Sequence, residues 1–162
     1  MTTRTVTKIH ASAIDPKRLD QIRASGEDEH GNPLSPFRAS GQGEPLRCCL
    51  RYADPGEPIM LVSYAHFSMP SVWREVGPVY VHARKCDGYT APDRFPVDFR
   101  TGPVLLRTYD ARLSMDYEHL RIVPDGGDVE SAVRELLVIE RVHQVHVRPV
   151  KSQCFLFAVT RG

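Results

Sequence analysis

The stretch GPVYVHARKC, residues 77–86, places a histidine and a cysteine four residues apart where a predicted strand runs into a loop. In a strand, Val79 and Val81 share the apolar face and His82 lies on the opposite, polar face. An imidazole can take the proton of a nearby thiol and turn the sulfur into a nucleophile. His82 and Cys86 are therefore the candidate catalytic residues. The alternatives are a histidine bonded to backbone and an inert, half-buried cysteine.

A second group of polar side chains follows two later strands. Arg107 and Tyr109 alternate along LLRTYD, and His146 and Arg148 share one face of VHQVHVR. Two arginines on neighbouring strands can fork around a carboxylate or a phosphate. These four residues are the candidate substrate-binding set, and an anionic small molecule is the expected ligand. Surface ion pairs and core packing are the alternatives.

The cysteine pattern argues against a metal centre. The chain has four cysteines, Cys48, Cys49, Cys86 and Cys154, and they form no CxxC pair. Within a strand, the adjacent Cys48 and Cys49 point to opposite faces, so we expect them to share neither a ligand nor a bond. A zinc site needs three or four converging ligands and is usually announced by tight paired spacing. We therefore predict no bound metal and no cofactor.

The surrounding elements are mostly strands. Strands are predicted at residues 5–14, 46–53, 57–67, 77–83, 102–110, 117–123, 141–150 and 152–160. A helix is predicted over 15–26, with Asp15 as its cap and Gly26 at its end. A second helix over 128–140 begins at Asp128 and carries an apolar stripe. Consecutive strands with few helices are typical of an α+β fold, here a largely antiparallel mixed β-sheet with two flanking helices.

We expect one domain over residues 1–162. Within it, residues 26–45 are rich in Gly, Pro and polar residues and show no apolar period, so we predict a mobile loop there.

Two strands that open with Gly-Pro, 77–83 and 102–110, are joined by an irregular loop, which favours antiparallel pairing. That pairing would bring His82 and Arg107 to one pocket, where the cation would lower the pKa of the imidazole.

Charge and hydropathy exclude several classes of partner. The 21 basic and 20 acidic residues leave a net charge of +1, which gives no reason to expect nucleic acid. No apolar run approaches the roughly 20 residues that span a membrane. The N-terminus has no apolar segment of the secretory type. We expect a cytoplasmic protein with reduced thiols and no membrane partner, and the oligomeric state stays open.

The segments LRYADPGEPIMLVSY, GPVYVHARKC and LLRTYD, followed by VHVRPV and QCFLFAVTR, resemble the bacterial family called domain of unknown function 1203 (DUF1203). The resemblance covers roughly residues 45 to 160. It implies a small, soluble, single-domain bacterial protein and supplies no catalytic residues.

The residues together predict a small cytoplasmic enzyme that acts on an anionic small molecule through His/Cys acid–base or nucleophilic chemistry. The alternative is a non-catalytic module that binds a small molecule or a protein. The reactivity of the cysteines distinguishes the two hypotheses, because an unusually reactive cysteine favours the enzyme.

Overall fold

The computed structural model describes residues 6–162, so the first residue of the predicted strand 5–14 lies outside the described part. Within that part the chain forms ten strands and two α-helices. The strands are β1 Ile9–Ser12, β2 Phe37–Arg38, β3 Pro45–Leu46, β4 Arg51–Tyr52, β5 Pro58–Tyr64, β6 Gly77–His82, β7 Val104–Tyr109, β8 Arg121–Val123, β9 Gln144–Pro149 and β10 Phe157–Arg161. The helices are α1 Pro16–Ser25 and α2 Val129–Val138. Short 3₁₀ turns cover Val97–Phe99 and Tyr117–His119.

The predicted caps confirm both helices. The Asp15 carboxylate accepts a hydrogen bond from the Lys17 N–H at 2.9 Å, and α1 ends at Gly26, whose φ is 78°. Asp128 accepts from the Ser131 N–H at 2.9 Å at the start of α2. The predicted apolar stripe of α2 is buried throughout, at Val129, Ala132, Val133, Leu136 and Leu137. The caps satisfy amides that the first turn leaves without a partner.

The chain divides into two compact units, one of residues 13–90 and the other of the remaining residues at both chain ends. The unit at the chain ends holds an antiparallel sheet of order β1-β10-β9-β7-β8, against which α2 packs. Residues 13–90 hold α1 and a sheet of order β2-β5-β6-β3-β4. The β3–β6 pair of this second sheet is parallel, and its other pairs are antiparallel. The expected α+β class with mostly antiparallel strands and two helices is confirmed, but the strands are shared between two sheets.

The expected pairing of the two Gly-Pro-led strands is wrong. β6 pairs with β5 and β3, whereas β7 pairs with β8 and β9 in the other sheet. The pairing partners follow the register of the apolar faces, and the long connection 83–103 does not force β6 and β7 to pair. His82 and Arg107 therefore stand on different sheets, and the common pocket expected for them has no support from strand pairing.

The strand expected over 46–53 is also wrong. It is a hairpin of two short strands, β3 and β4, joined by the turn 47–50. Leu50 adopts a positive φ of 57°, and its N–H bonds to the Leu46 carbonyl at 3.0 Å. A left-handed residue reverses the chain and cannot continue a strand.

The Gly- and Pro-rich segment 26–45 is mostly irregular but carries defined contacts. It includes β2, which pairs with β5, and a bridge between Glu27 and Pro33. Its mobility stays a prediction, as does the single-domain organisation. Neither helix in the described part of the chain is long and apolar enough to cross a membrane.

Candidate functional site

The β3–β4 turn brings two adjacent cysteines to one side. Cys48 and Cys49 lie in the turn 47–50, and their sulfur atoms are 4.0 Å apart. The expectation that these residues point to opposite faces is wrong, because it assumed a continuous strand. A tight turn bends successive Cα–Cβ vectors toward each other, which a strand does not.

The last residue of β6 faces this turn. Val79 and Val81 are buried, so the predicted alternation holds and His82 lies on the other face. β3 runs parallel beside β6, and the Arg47 N–H bonds to the Tyr80 carbonyl at 2.9 Å. The β3–β4 turn is thereby fixed next to the strand end that carries the imidazole.

The imidazole contacts both turn cysteines through one ring nitrogen. His82 Nδ1 lies 3.4 Å from the Cys48 sulfur and 3.8 Å from the Cys49 sulfur. The backbone N–H of His82 also donates to the Cys48 sulfur, at 3.3 Å. Cys86, in the loop after β6, completes the group: its sulfur, the Cys48 sulfur and a His82 ring nitrogen all lie within 4.8 Å of one another. We call Cys48, Cys49, His82 and Cys86 the thiol–imidazole cluster.

A carboxylate holds the opposite nitrogen of the ring. Glu57 follows the turn Asp54-Pro55-Gly56 and precedes β5, the strand that pairs with β6. Its Oε1 lies 2.9 Å from His82 Nε2. Arg51 fixes the carboxylate with two hydrogen bonds, of 2.9 Å and 2.5 Å. An ionised carboxylate only accepts, so Nε2 carries a hydrogen, and in the neutral ring Nδ1 presents its lone pair to the sulfurs.

The charges around the cluster favour a charged imidazole. Arg51 lowers the pKa of Glu57 to about 2, which keeps the carboxylate ionised. The contact with the Cys48 sulfur, followed by the bond to Glu57, raises the pKa of His82 to about 9 against the effect of burial. The expected lowering by a neighbouring cation is therefore wrong: Arg51 Nη2 lies 3.2 Å from Nε2, but the contacts with the Cys48 sulfur and the Glu57 carboxylate outweigh it.

The thiols of the cluster differ in pKa and in exposure. The contact with the Cys48 sulfur, together with Arg51, lowers the pKa of the Cys49 thiol, whereas the Cys48 sulfur and burial raise the pKa of Cys86. Cys48 is 1% exposed, whereas Cys49 and Cys86 are half-buried. Of the two half-buried thiols, Cys49 is the one whose pKa is lowered.

The four candidate substrate-binding residues come together elsewhere, in the unit at the chain ends. Arg107 lies directly opposite His146 in the β7–β9 ladder, and the rings of Tyr109 and His146 are 4.4 Å apart. Arg107 bonds to the Gln153 side chain and Arg148 to the Gln153 carbonyl, at 3.2 Å and 2.8 Å. The four side chains share one face of the β7–β9 ladder, since residues opposite each other in a ladder share a face. Their role in binding stays a prediction.

Sequence reasoning found two members of the cluster, His82 and Cys86, and missed Cys48, Cys49 and Glu57. Nothing in the sequence indicated a turn at Cys48 and Cys49, because the composition of LRCCLRYA is typical of a strand. Glu57 had a weak signal: it follows a recognisable turn beside a strand that pairs with β6. Cys154 is in neither cluster; it precedes β10, and its thiol contacts the Ser152 carbonyl at 3.7 Å.

The fold and the site define a small α+β protein with a cluster of three thiols around one carboxylate-bound imidazole. Residues 43–161 match the family model described as Protein of unknown function (DUF1203), and the chain belongs to that family. No curated protein and no solved structure matches the chain. The role of the cluster must therefore be argued from its chemistry.

Proposed function

We propose that this chain is a small bacterial cytoplasmic enzyme in which Cys49 is the nucleophile, His82 its base and Glu57 the group that orients the base. The observation that best supports this proposal is the alignment of these three side chains. The Cys49 sulfur lies 3.8 Å from Nδ1 of His82, and Nε2 of the same ring lies 2.9 Å from the Glu57 carboxylate. A nucleophile, a base and a third group that orients the base form the usual arrangement for covalent catalysis.

Cys49 is the better nucleophile than the closer Cys48 on grounds of access. Cys48 is 1% exposed and receives the His82 backbone N–H, so its sulfur is enclosed by the fold. Cys49 sits at the same turn and is half-buried, which leaves a face open to a small molecule. A substrate has to reach the sulfur before the imidazole can assist the attack.

The reaction class that fits is acyl transfer. The charged imidazole holds the proton of the Cys49 thiol on Nδ1, and the thiolate sulfur forms a bond to the carbonyl carbon of the substrate. The imidazolium then returns the proton to the leaving group as the bond between that group and the carbonyl carbon breaks. A water molecule, deprotonated by the same nitrogen, releases the acid from the thioester and restores the thiol.

A reduced cluster of this kind requires a reducing compartment, which is the reason for placing the protein in the cytoplasm. An anionic substrate is the second part of the proposal, and it rests on the positive charge of Arg51, which lies beside His82 and acts on Cys49 within the same unit. No nucleic-acid or membrane partner is proposed, because the net charge is +1.

Alkylation of the chelator-treated, reduced protein by iodoacetamide tests the nucleophile. Peptide mapping over time gives a separate rate for each of the four cysteines. We expect Cys49 to react first, and His82→Gln to slow its alkylation by roughly tenfold or more, since thiolate formation depends on the base. Cys154 is the internal control, and its rate should not change.

A chromogenic acyl ester provides the second readout. The parent protein should release a burst of the leaving group, and Cys49→Ser should abolish that burst while Cys154→Ser retains it. If Cys49 reacts no faster than Cys154 and no burst occurs, the enzyme proposal fails. The non-catalytic binding module then becomes the better explanation.

A further inference from the structure

We propose that the thiol–imidazole cluster is also a binding site for a thiophilic divalent metal ion of the Zn²⁺ class. Cys48, His82 and Cys86 are its primary ligands, and Cys49 supplies the fourth donor. This metal site goes beyond the proposed enzyme and does not depend on it. It also differs from the sequence expectation, which found no metal signature because the ligands are remote along the chain.

The distances among the donor atoms of Cys48, Cys49 and His82 match three edges of a tetrahedral site. Zinc–sulfur bonds of about 2.3 Å and zinc–nitrogen bonds of about 2.1 Å place tetrahedral S···N pairs about 3.6 Å apart and S···S pairs about 3.8 Å apart. The Cys48 sulfur lies 3.4 Å from His82 Nδ1, and the Cys49 sulfur lies 3.8 Å from it. The two sulfurs are 4.0 Å apart. Each of these edges is within about 0.2 Å of the tetrahedral value.

Cys86 approaches the same point from a different segment. Its sulfur lies within 4.8 Å of both the Cys48 sulfur and the imidazole nitrogen, which brings a ligand from the loop after β6 to the site. Three sulfurs and one nitrogen favour zinc and other thiophilic ions over magnesium or calcium, which prefer oxygen ligands.

The groups around the donors are those that a metal site requires. Glu57 holds the hydrogen on Nε2, so Nδ1 is the nitrogen that faces the sulfurs and exchanges its proton for the ion, and Arg51 fixes Glu57 in turn. A carboxylate behind a ligating histidine is a common feature of zinc sites. The His82 backbone N–H donates to the Cys48 sulfur at 3.3 Å and orients it, as the groups around a metal-binding sulfur do.

Titration of the reduced, metal-stripped protein with Zn²⁺ against a chelating indicator tests the proposal. We expect one equivalent to bind with submicromolar affinity. Co²⁺ in place of Zn²⁺ should give sulfur-to-cobalt charge-transfer bands and an intense visible spectrum, which report tetrahedral thiolate ligation. Cys48→Ser, Cys86→Ser and His82→Gln should each lose most of the affinity. Glu57→Gln should weaken binding by about 10- to 100-fold, because it acts through the histidine.

Cys154→Ser is the matched control and should bind Zn²⁺ as the parent protein does. A ligand variant that fails to fold is replaced by a measurement on the parent protein. There, Zn²⁺ should protect Cys48, Cys49 and Cys86 from a thiol-reactive disulfide while Cys154 stays reactive. The proposal is overturned if the parent protein binds less than one equivalent, or if Co²⁺ gives no charge-transfer band, or if Zn²⁺ protects no cysteine of the cluster.

A regulatory consequence rests on the proposed function: a bound ion occupies the Cys49 sulfur and should suppress its alkylation and the acyl burst. The two proposals fail separately. Metal binding without a reactive Cys49 in the stripped protein refutes the enzyme alone. A reactive Cys49 in a protein that binds no metal refutes the metal site alone.

Discussion

Asp28 should be the main anchor of the segment after α1. Its carboxylate is 5% exposed and accepts three backbone N–H groups, from His30 at 2.9 Å, Asn32 at 3.0 Å and Ser63 at 2.8 Å. The Asn32 side-chain amide donates to both of its oxygens, at 3.1 Å and 3.0 Å. The Ser63 contact ties the irregular segment to β5. A buried carboxylate with this many donors makes a large contribution to stability.

The expected loss in the free energy of unfolding follows from the hydrogen bonds that each substitution breaks. Asp28→Asn keeps one oxygen, but it removes the charge and turns an N–H toward the Ser63 N–H. At about 1.5–3 kcal/mol for a hydrogen bond to a charged group, the free energy of unfolding should fall by about 2–3 kcal/mol. Asp28→Ala removes every acceptor and should cost about 4 kcal/mol, since the exposed part of the segment relaxes toward water.

The same carboxylate predicts a pH dependence. Burial by itself raises the pKa of Asp28, but the hydrogen bonds from Ser63, Asn32 and His30 outweigh burial and lower that pKa. A lowered pKa in the folded state stabilises the protein above the pKa of the unfolded state, about 3.9 for aspartate. This contribution is lost as the pH falls below that value and through the folded-state pKa. The difference between the parent protein and Asp28→Asn should therefore be full at pH 7 and shrink in strong acid.

Urea unfolding measures this loss of stability. The fluorescence of Trp73, the single tryptophan, reports on unfolding within residues 13–90. Asp125→Asn is the control, because Asp125 is an exposed carboxylate in the turn before α2. The reasoning is refuted if Asp28→Asn and Asp125→Asn unfold at the same urea concentration at pH 7. It is also refuted if the gap between Asp28→Asn and the parent protein widens in acid.

Two further substitutions test the helices, with the free energy of unfolding as the measurement. Leu136→Ala removes a side chain that is 1% exposed and should cost about 2–5 kcal/mol, and the same change at the exposed Val138 should cost less than about 1 kcal/mol. Equal losses at the two positions would contradict the packing of α2. Gly26→Ala should cost about 1 kcal/mol because φ is 78° there, although an added Cβ meets nothing within 4 Å. Gly26→Asn should recover part of that loss, and an unchanged stability in Gly26→Ala would exclude left-handed strain as the cause.

Several features of this protein could be predicted from the sequence because they depend on neighbouring residues. Asp15 and Gly26 mark the ends of α1 through local hydrogen bonds and backbone freedom. The alternation of Val79 and Val81 assigns His82 to the other face of β6, since side chains alternate along any strand. Such features need no knowledge of the partner strand.

The candidate site could be predicted only in part. Its two predicted members, His82 and Cys86, are four residues apart, so one segment holds both. Cys48 and Cys49 join them because Leu50 takes a left-handed conformation and because β3 pairs with β6 in parallel. Neither feature has a signal in LRCCLRYA, whose composition is that of a strand.

The assignment of strands to sheets was decided by tertiary structure alone. Gly-Pro opens β6 and directly precedes β7, and the two are consecutive long strands, yet each pairs within its own sheet. The apolar faces of β5 and β9 determine those pairs, because a strand takes the register that buries its whole apolar face. Composition and spacing indicate that a residue belongs to a strand, but the burial of remote faces decides which side chains meet. For that reason the sequence determined His82 as a polar residue at a strand end, and only the tertiary structure placed three sulfurs and a carboxylate around it.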